Sequence, residues 1–320
     1  MARRLYISVT LLTVSLFCSS WGFFGHHLIS RMAVFTLPPP MIRFYKNNLG
    51  YITRHSVDPD KKRYLDPLEG ARHFIDSERY GESPFDSIPE KWSQACLKYT
   101  EDTLRKYGTV PWQIEKTYYQ LVSAFDNRDS LMILKLSAHL SHYISDAHVP
   151  LHVTSNYNGQ LSGQLGIHAF WESRLPELFS KQYNFMTGRA KYIESPIKEA
   201  WSILRHTLQY KDSVFAIEKR VAATFPSDHK YNYSERNGKV IRQYSAAYSK
   251  AFHDALSGMV EQQMRSAVYE TGCFWYSAWV DAGQPALSSF PSIPQRRQKD
   301  KEDPDLQIHS NKNILGRPDL

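Results

Sequence analysis

The segment HLSHYISDAHVPLH, His139 to His152, reads as the end of a helix followed by a sharp turn. His142 and Asp146 stand four apart, so on a helix they lie one above the other on a single face, with His139 on that face as well. Pro150 cannot continue the helix, and the bend it imposes swings His152 to another side of a shared cleft. Downstream, HAFWE repeats the four-residue step with His168 and Glu172. A single His-x-x-x-Asp pair is common on protein surfaces. Two such pairs, sixteen residues apart from His152 to His168 and joined by a glycine-rich loop, point instead to a metal site. Imidazole with carboxylate suits zinc, which takes nitrogen and oxygen at about 2 Å in small shells.

Outward from this segment the periodicity stays helical. Stretches near His26–Phe35, Pro89–Lys106, Trp112–Phe125 and Ser130–Val149 carry it, as do Trp201, Leu204 and Leu208, then Ile217 and Val221. Ile241, Tyr244, Tyr248, Phe252, Ala255 and Met259 recur at three- and four-residue steps, the pattern of one buried helix face. Period-two strands with hairpin turns are not evident. The expectation is an all-α protein with a single helical domain over residues 21–283, interrupted by two long connections, HSVDPDKKRYLDPLEGARHFID and SNYNGQLSGQLG. Long loops inside a compact domain often carry function. Residues 284–320, including PQRRQKDKEDPDLQIHSNKN, are charged and read as a disordered tail.

The first twenty residues read as a signal peptide. Arg3 and Arg4 precede an apolar run from Leu5 to Phe17, and the small residues Cys18 and Ser20 place cleavage before Trp21. That run, about 13 residues, is too short to span a bilayer. The expected location is secreted or periplasmic, with lipoprotein anchoring through Cys18 the alternative, disfavoured by bulky Phe17. Removal of the leader lowers the net charge from +7 to +5, a mild excess compatible with an anionic substrate or surface. Cys96 and Cys273 remain and could pair in an oxidising compartment. Cleavage would also free the α-amino group of Trp21, which titrates near pH 8 and yields its proton readily to a cation. Its nitrogen and carbonyl oxygen can close a chelate ring, with His26 completing the shell. His139, His148, His206, His229 and His253 read as ordinary polar histidines.

Taken together these residues resemble the zinc-dependent superfamily of bacterial phospholipases C and the single-strand-specific nucleases of fungi and plants. The matching positions are Trp21, His26, Asp58, His73, His142, Asp146, His152, His168 and Glu172, in order, and YSAWVDAG near the end resembles the nuclease branch's closing helix. The resemblance implies three zinc ions in an all-α fold. Asp58, His73, His142 and Asp146 would hold one, with Asp146 bridging to a second held by Trp21 and His26. His152, His168 and Glu172 would hold the third. Zinc lowers the pKa of bound water toward about 7 and so supplies hydroxide for phosphodiester hydrolysis, with Asp58 orienting the attacking water.

For substrate, the resemblance to the nucleases gives Phe74 a base-stacking role and pairs Asp76 with an arginine, where this sequence has Lys61. Glu172 and the surrounding GIHAFWE look more like the phospholipases. The expectation is a single-strand nuclease or 3′-nucleotidase acting on nucleic acid or nucleotides. The alternative is a phospholipase C acting at a membrane surface, and the third reading is a non-catalytic metal-binding protein. No stable protein partner is implied.

Overall fold

The computed structural model describes residues 23–236 and 239–290. The leader, Cys18, Trp21 and the tail from residue 291 lie outside the described residues. The central element is the helix Ser130–Ala147, of which fifteen residues are buried. Asp129 starts it by accepting a hydrogen bond from Met132 N–H at 3.0 Å, satisfying a donor that the helix itself cannot. Being surrounded, it shows no polar stripe; its serines satisfy themselves internally, Ser141 to the Ala138 carbonyl and Ser145 to the Ser141 carbonyl. Pro150 ends it, and Pro150–Val153 forms a single 3-10 turn.

Four helices define the frame around it. We label Phe23–Ala33 α1, Val110–Asp126 α2, Ser130–Ala147 α3 and Met259–Asp281 α4. α2 and α4 pack along α3, with Tyr118, Phe125, Phe274 and Trp275 fully buried between them. The 3-10 turn Val34–Thr36 that follows α1 presses on α4 at Gly272, where an added Cβ would lie 1.9 Å from Thr36 Oγ1. A second apolar cluster, around Phe170, Tyr248, Phe252 and Val260, covers the other side of α1 and the turn after α3. Histidines and carboxylates lie at the seam of the two clusters, where Ala147 belongs to one and Val149 to the other.

The expected all-α class holds, with one small exception. The run from Ile241 to Met259 is not one helix face. Strand β1, Tyr231–Arg236, pairs antiparallel with β2, Lys239–Tyr244, in the register Tyr231 to Tyr244 and Arg236 to Lys239. Asn237-Gly238, the dipeptide that favours a two-residue hairpin connection, stands between them in the sequence. A helix over Ala246–Ala255 follows, started by the Ser245 hydroxyl, and Gly258 at φ 83° separates it from α4. The stretch Pro89–Lys106 is likewise two helices, broken at Thr100 with φ 65°.

Two further expectations change in detail. The chain beyond residue 283 remains packed as far as Phe290: Leu287 and Phe290 are buried, Phe290 edge-on to Phe44, and Trp279 Nε1 donates to the Pro285 carbonyl. Cys96 and Cys273 are both free; the Cys273 sulfur accepts from Lys191 N–H at 3.3 Å inside the core. No helix among the described residues is long and apolar enough to cross a membrane.

Candidate metal centre

His142 and Asp146 project from the last turns of α3, side by side as their spacing requires, and both are buried. The 3-10 turn after Pro150 brings His152 opposite them. There it is locked to the strand-like segment after His73: His152 Nδ1–H donates to the His73 carbonyl at 2.6 Å, and Ile75 N–H donates to the His152 carbonyl at 2.9 Å. His26 arrives from the first turns of α1, its ring stacked on His142 with centroids 4.0 Å apart. His168 and Glu172 straddle the start of a π-helical turn, Phe170–Arg174. Such turns are rare and concentrate at functional sites.

Among the described residues the polar atoms fall into three groups that could hold a cation: His26, His142 and Asp146; Asp60, His73 and His142; His152, His168 and Glu172. A tetrahedral ion with bonds of about 2 Å spaces its ligands about 3.3 Å apart. In the first group His26 Nε2 lies 3.5 Å from Asp146 Oδ1, and His142 Nε2 lies 3.3 Å from Asp146 Oδ2. In the second, Asp60 Oδ1 is 3.7 Å from His73 Nδ1 and 3.6 Å from His142 Nε2. In the third, His152 Nε2 is 3.4 Å from Glu172 Oε2, and His168 Nε2 is 2.8 Å from the same oxygen.

Tautomers set which nitrogens face the cluster. His142 Nδ1 faces the Ser56 carbonyl at 2.8 Å and must carry a proton there, leaving Nε2 for the cluster. By the same argument, the His152 Nδ1–H bond to His73 O turns the lone pair of Nε2 toward His168 Nε2, 2.9 Å away. Imidazoles oriented in this way by a carbonyl behind them are the usual ligands of zinc. The two oxygens of Asp146 face different neighbours, Oδ1 toward His26 and Oδ2 toward His73 at 2.9 Å and His142.

Charge follows the same geometry. Burial alone would raise the Asp146 carboxyl, but the charges of His142 and His152 and the hydrogen bonds from His142 and His73 hold it well below the usual range. Glu172 is held down against burial by hydrogen bonds from His152, His168 and His26. Burial opposes the charged form of His142, yet Asp146 and Asp60 push it up to about 9. Its proton occupies the direction a cation would take.

Of the expected site residues, the structure brings together His26, His73, His142, Asp146, His152, His168 and Glu172. Asp58 is not among them. It is buried, but its carboxylate meets His55 Nδ1 at 2.5 Å and Lys61 Nζ at 3.2 Å. Asp60, two residues on in the same short helix Asp58–Lys62, faces the cluster instead. Phe74 is buried at 3% exposure. Gly108, at φ 97°, closes over it so tightly that a Cβ there would fall 2.1 Å from the Phe74 carbonyl oxygen. Its ring therefore offers no open face. Asp76 is also buried, its N–H donating to the Tyr107 carbonyl at 2.7 Å.

One participant is new. Glu69 lies behind His73, its Oε1 3.7 Å from His73 Nε2, and is itself held by Tyr143 and Arg72. Its position four residues before His73 was the available signal. The His168 edge of the third group is the most open part of the centre, the His168 side chain being 28% exposed.

A family model described as zinc dependent phospholipase C matches residues 25–235, about two-thirds of the chain and every described member of the three groups. No curated protein matches the chain closely enough to serve as a relative. The model's span and the donor set it encloses agree in metal and in reaction type. The chain is a zinc-dependent phosphoesterase and belongs to the zinc-dependent phospholipase C family.

Proposed function

We propose that the protein is an exported phospholipase C that cleaves the phosphodiester of a phospholipid headgroup at the His152, His168 and Glu172 edge of the centre. The observation that carries the substrate choice is the burial of Phe74: stacking on a nucleobase needs an exposed aromatic face. The family match points the same way.

When bound, zinc supplies Lewis-acid polarisation of the phosphate and a water acidic enough to attack at neutral pH. The chain's own groups position the rest. His168 and Asp60, with side chains 28% and 23% exposed, are the members of the three groups that a headgroup can reach from solvent. Asp60 takes over the orienting role expected of Asp58, accepting a proton from the attacking water. Water adds to phosphorus, the bond to the glycerol oxygen breaks, and that oxygen takes a proton.

Trp21 completes the reading. α1 begins only two residues after it, and His26 presents Nε2 toward both Asp146 and Glu172 at 3.5 and 3.4 Å. On this reading the amine freed at Trp21 by leader removal joins the same group, which ties export to metal binding.

The test is a substrate panel of phosphatidylcholine vesicles, single-stranded DNA, RNA and a 3′-nucleotide, each with and without chelator. Chelator-sensitive release of phosphocholine is expected. Hydrolysis of the nucleic acids with no lipid turnover would overturn the assignment in favour of the nuclease reading.

A further inference from the structure

The loop Ser155–Gly166 holds two leucines in water by design of its hydrogen bonds. Asn156 Oδ1 accepts from Leu161 N–H at 2.7 Å, Asn158 Oδ1 accepts from Gly166 N–H at 3.0 Å, and Gln160 Nε2 donates to the Ser155 carbonyl at 2.6 Å. Gly159, at φ 75°, sits where a Cβ would strike the Gln164 carbonyl at 2.3 Å. On this framework Leu161 is 73% exposed and Leu165 62%. A loop free to rearrange would turn such side chains inward, since burying a leucine gains about 1.5–3 kcal/mol. This one is braced against doing so, and its last residue leads directly into Ile167 and His168.

The β1–β2 hairpin continues the surface. Residues two apart on a strand share a face, and the register places Tyr231, Tyr233 and Glu235 with Tyr244, Arg242 and Val240 on one side, Glu235 opposite Val240 at the outer end. At the base this side is packed: Tyr244 stacks on Phe170 at 3.9 Å, and its hydroxyl donates to the Leu165 carbonyl at 3.4 Å. Further out, the same side carries Tyr233 and Val240, each 72% exposed. Arg242 is exposed beside them, its guanidinium 3.6 Å from the Tyr231 ring centroid. Leucine, valine, tyrosine and a ring-supported arginine form the mixture that settles at the headgroup layer of a bilayer, where an apolar body and a polar tip are both accommodated.

We propose that Leu161, Leu165, Tyr233 and Val240, with Arg242 at their margin, form a docking surface for a phospholipid bilayer that sets His168 against the headgroup layer. This inference rests on the phospholipase reading above. A lipid surface is favoured over a protein partner by two observations. The loop runs without interruption into the open edge of the centre, and the chain's charge, +5 once the leader is removed, suits an anionic membrane.

The experiment uses the full zinc-loaded chain and vesicles of phosphatidylcholine, with and without a minor fraction of phosphatidylglycerol. Leu161→Ser with Leu165→Ser, and separately Tyr233→Ser with Val240→Thr, should each lower vesicle binding at least about tenfold. Turnover of a monomeric short-chain phosphatidylcholine should stay within about twofold of the unsubstituted protein. Leu161→Trp should raise vesicle binding while keeping short-chain turnover, a pair of outcomes that misfolding cannot imitate. Unchanged vesicle binding in both double variants overturns the docking surface. So does sedimentation showing a dimer that these substitutions dissolve, which would assign the surface to a second copy of the chain. Absence of monomer turnover by the unsubstituted protein rejects the phospholipase reading alone, and the vesicle arm still decides the surface.

Discussion

Asp60→Asn tests the assignment of the second metal group where sequence and structure disagree. Asp60 Oδ1 lies 3.6 Å from His142 Nε2 and 3.7 Å from His73 Nδ1. Two full charges 3.6 Å apart interact by about 4.6 kcal/mol at an effective dielectric of about 20. The Asp60 side chain is 23% exposed, and we allow solvent to screen the interaction by about half, leaving about 2–3 kcal/mol. That corresponds to a loss of about 30- to 160-fold in affinity for the cation bound there. Asp58→Asn should act differently. It removes the buried partner of His55 and Lys61, lowers the melting temperature, and leaves zinc affinity within about tenfold. Competition titration against a chromogenic chelator reads the affinity, and thermal melts read the stability. If Asp58→Asn loses zinc more readily than Asp60→Asn, the assignment of Asp60 is wrong.

Asp146→Asn should cost far more turnover than Glu172→Asp, since it removes a charge that faces His26 through one oxygen and His73 and His142 through the other. Equal activity of Asp146→Asn and the unsubstituted protein in a phosphodiesterase assay would refute a bridging role. His142, pushed up to about 9 from an ordinary 6.5, stabilises the metal-stripped fold fully below pH 6.5, and this contribution is lost as pH rises through about 9. Melts of chelator-treated protein should therefore decline over that window, and saturating zinc, which replaces the proton, should flatten the decline. A cytoplasmic form that retains a methionine before Trp21 should bind one zinc fewer and lose most activity, because an amide nitrogen is a poor ligand. Unchanged zinc content and turnover would reduce Trp21 to a packing residue.

The parts of the site that could be read in advance are those that helix geometry dictates. His142 with Asp146 and His168 with Glu172 are four apart, and Pro150 had to turn the chain between them. Asp58 and Asp60 could not be told apart in this way. Both flank Pro59 in one short turn, and a two-residue step carries them to nearly opposite sides, so the choice depends on which side of that turn meets α3. The burial of Phe74 was not legible because its cover, Gly108, comes from more than thirty residues away. The hairpin was hidden by coincidence. Ile241, Tyr244 and Tyr248 keep helical steps across a strand and the start of a helix, while the Asn237-Gly238 pair gave the local signal for the turn. Glu69 was legible only as an acid four residues from His73; that Tyr143 and Arg72 would converge on it was not.

Anomalous diffraction at the zinc edge from crystals of the zinc-loaded protein decides whether α3 carries three metal groups. Three peaks are predicted, about 2 Å from the ligand atoms: one between His26 and Asp146, one among Asp60, His73 and His142, and one among His152, His168 and Glu172. A single peak, none, or peaks away from these residues would contradict the account.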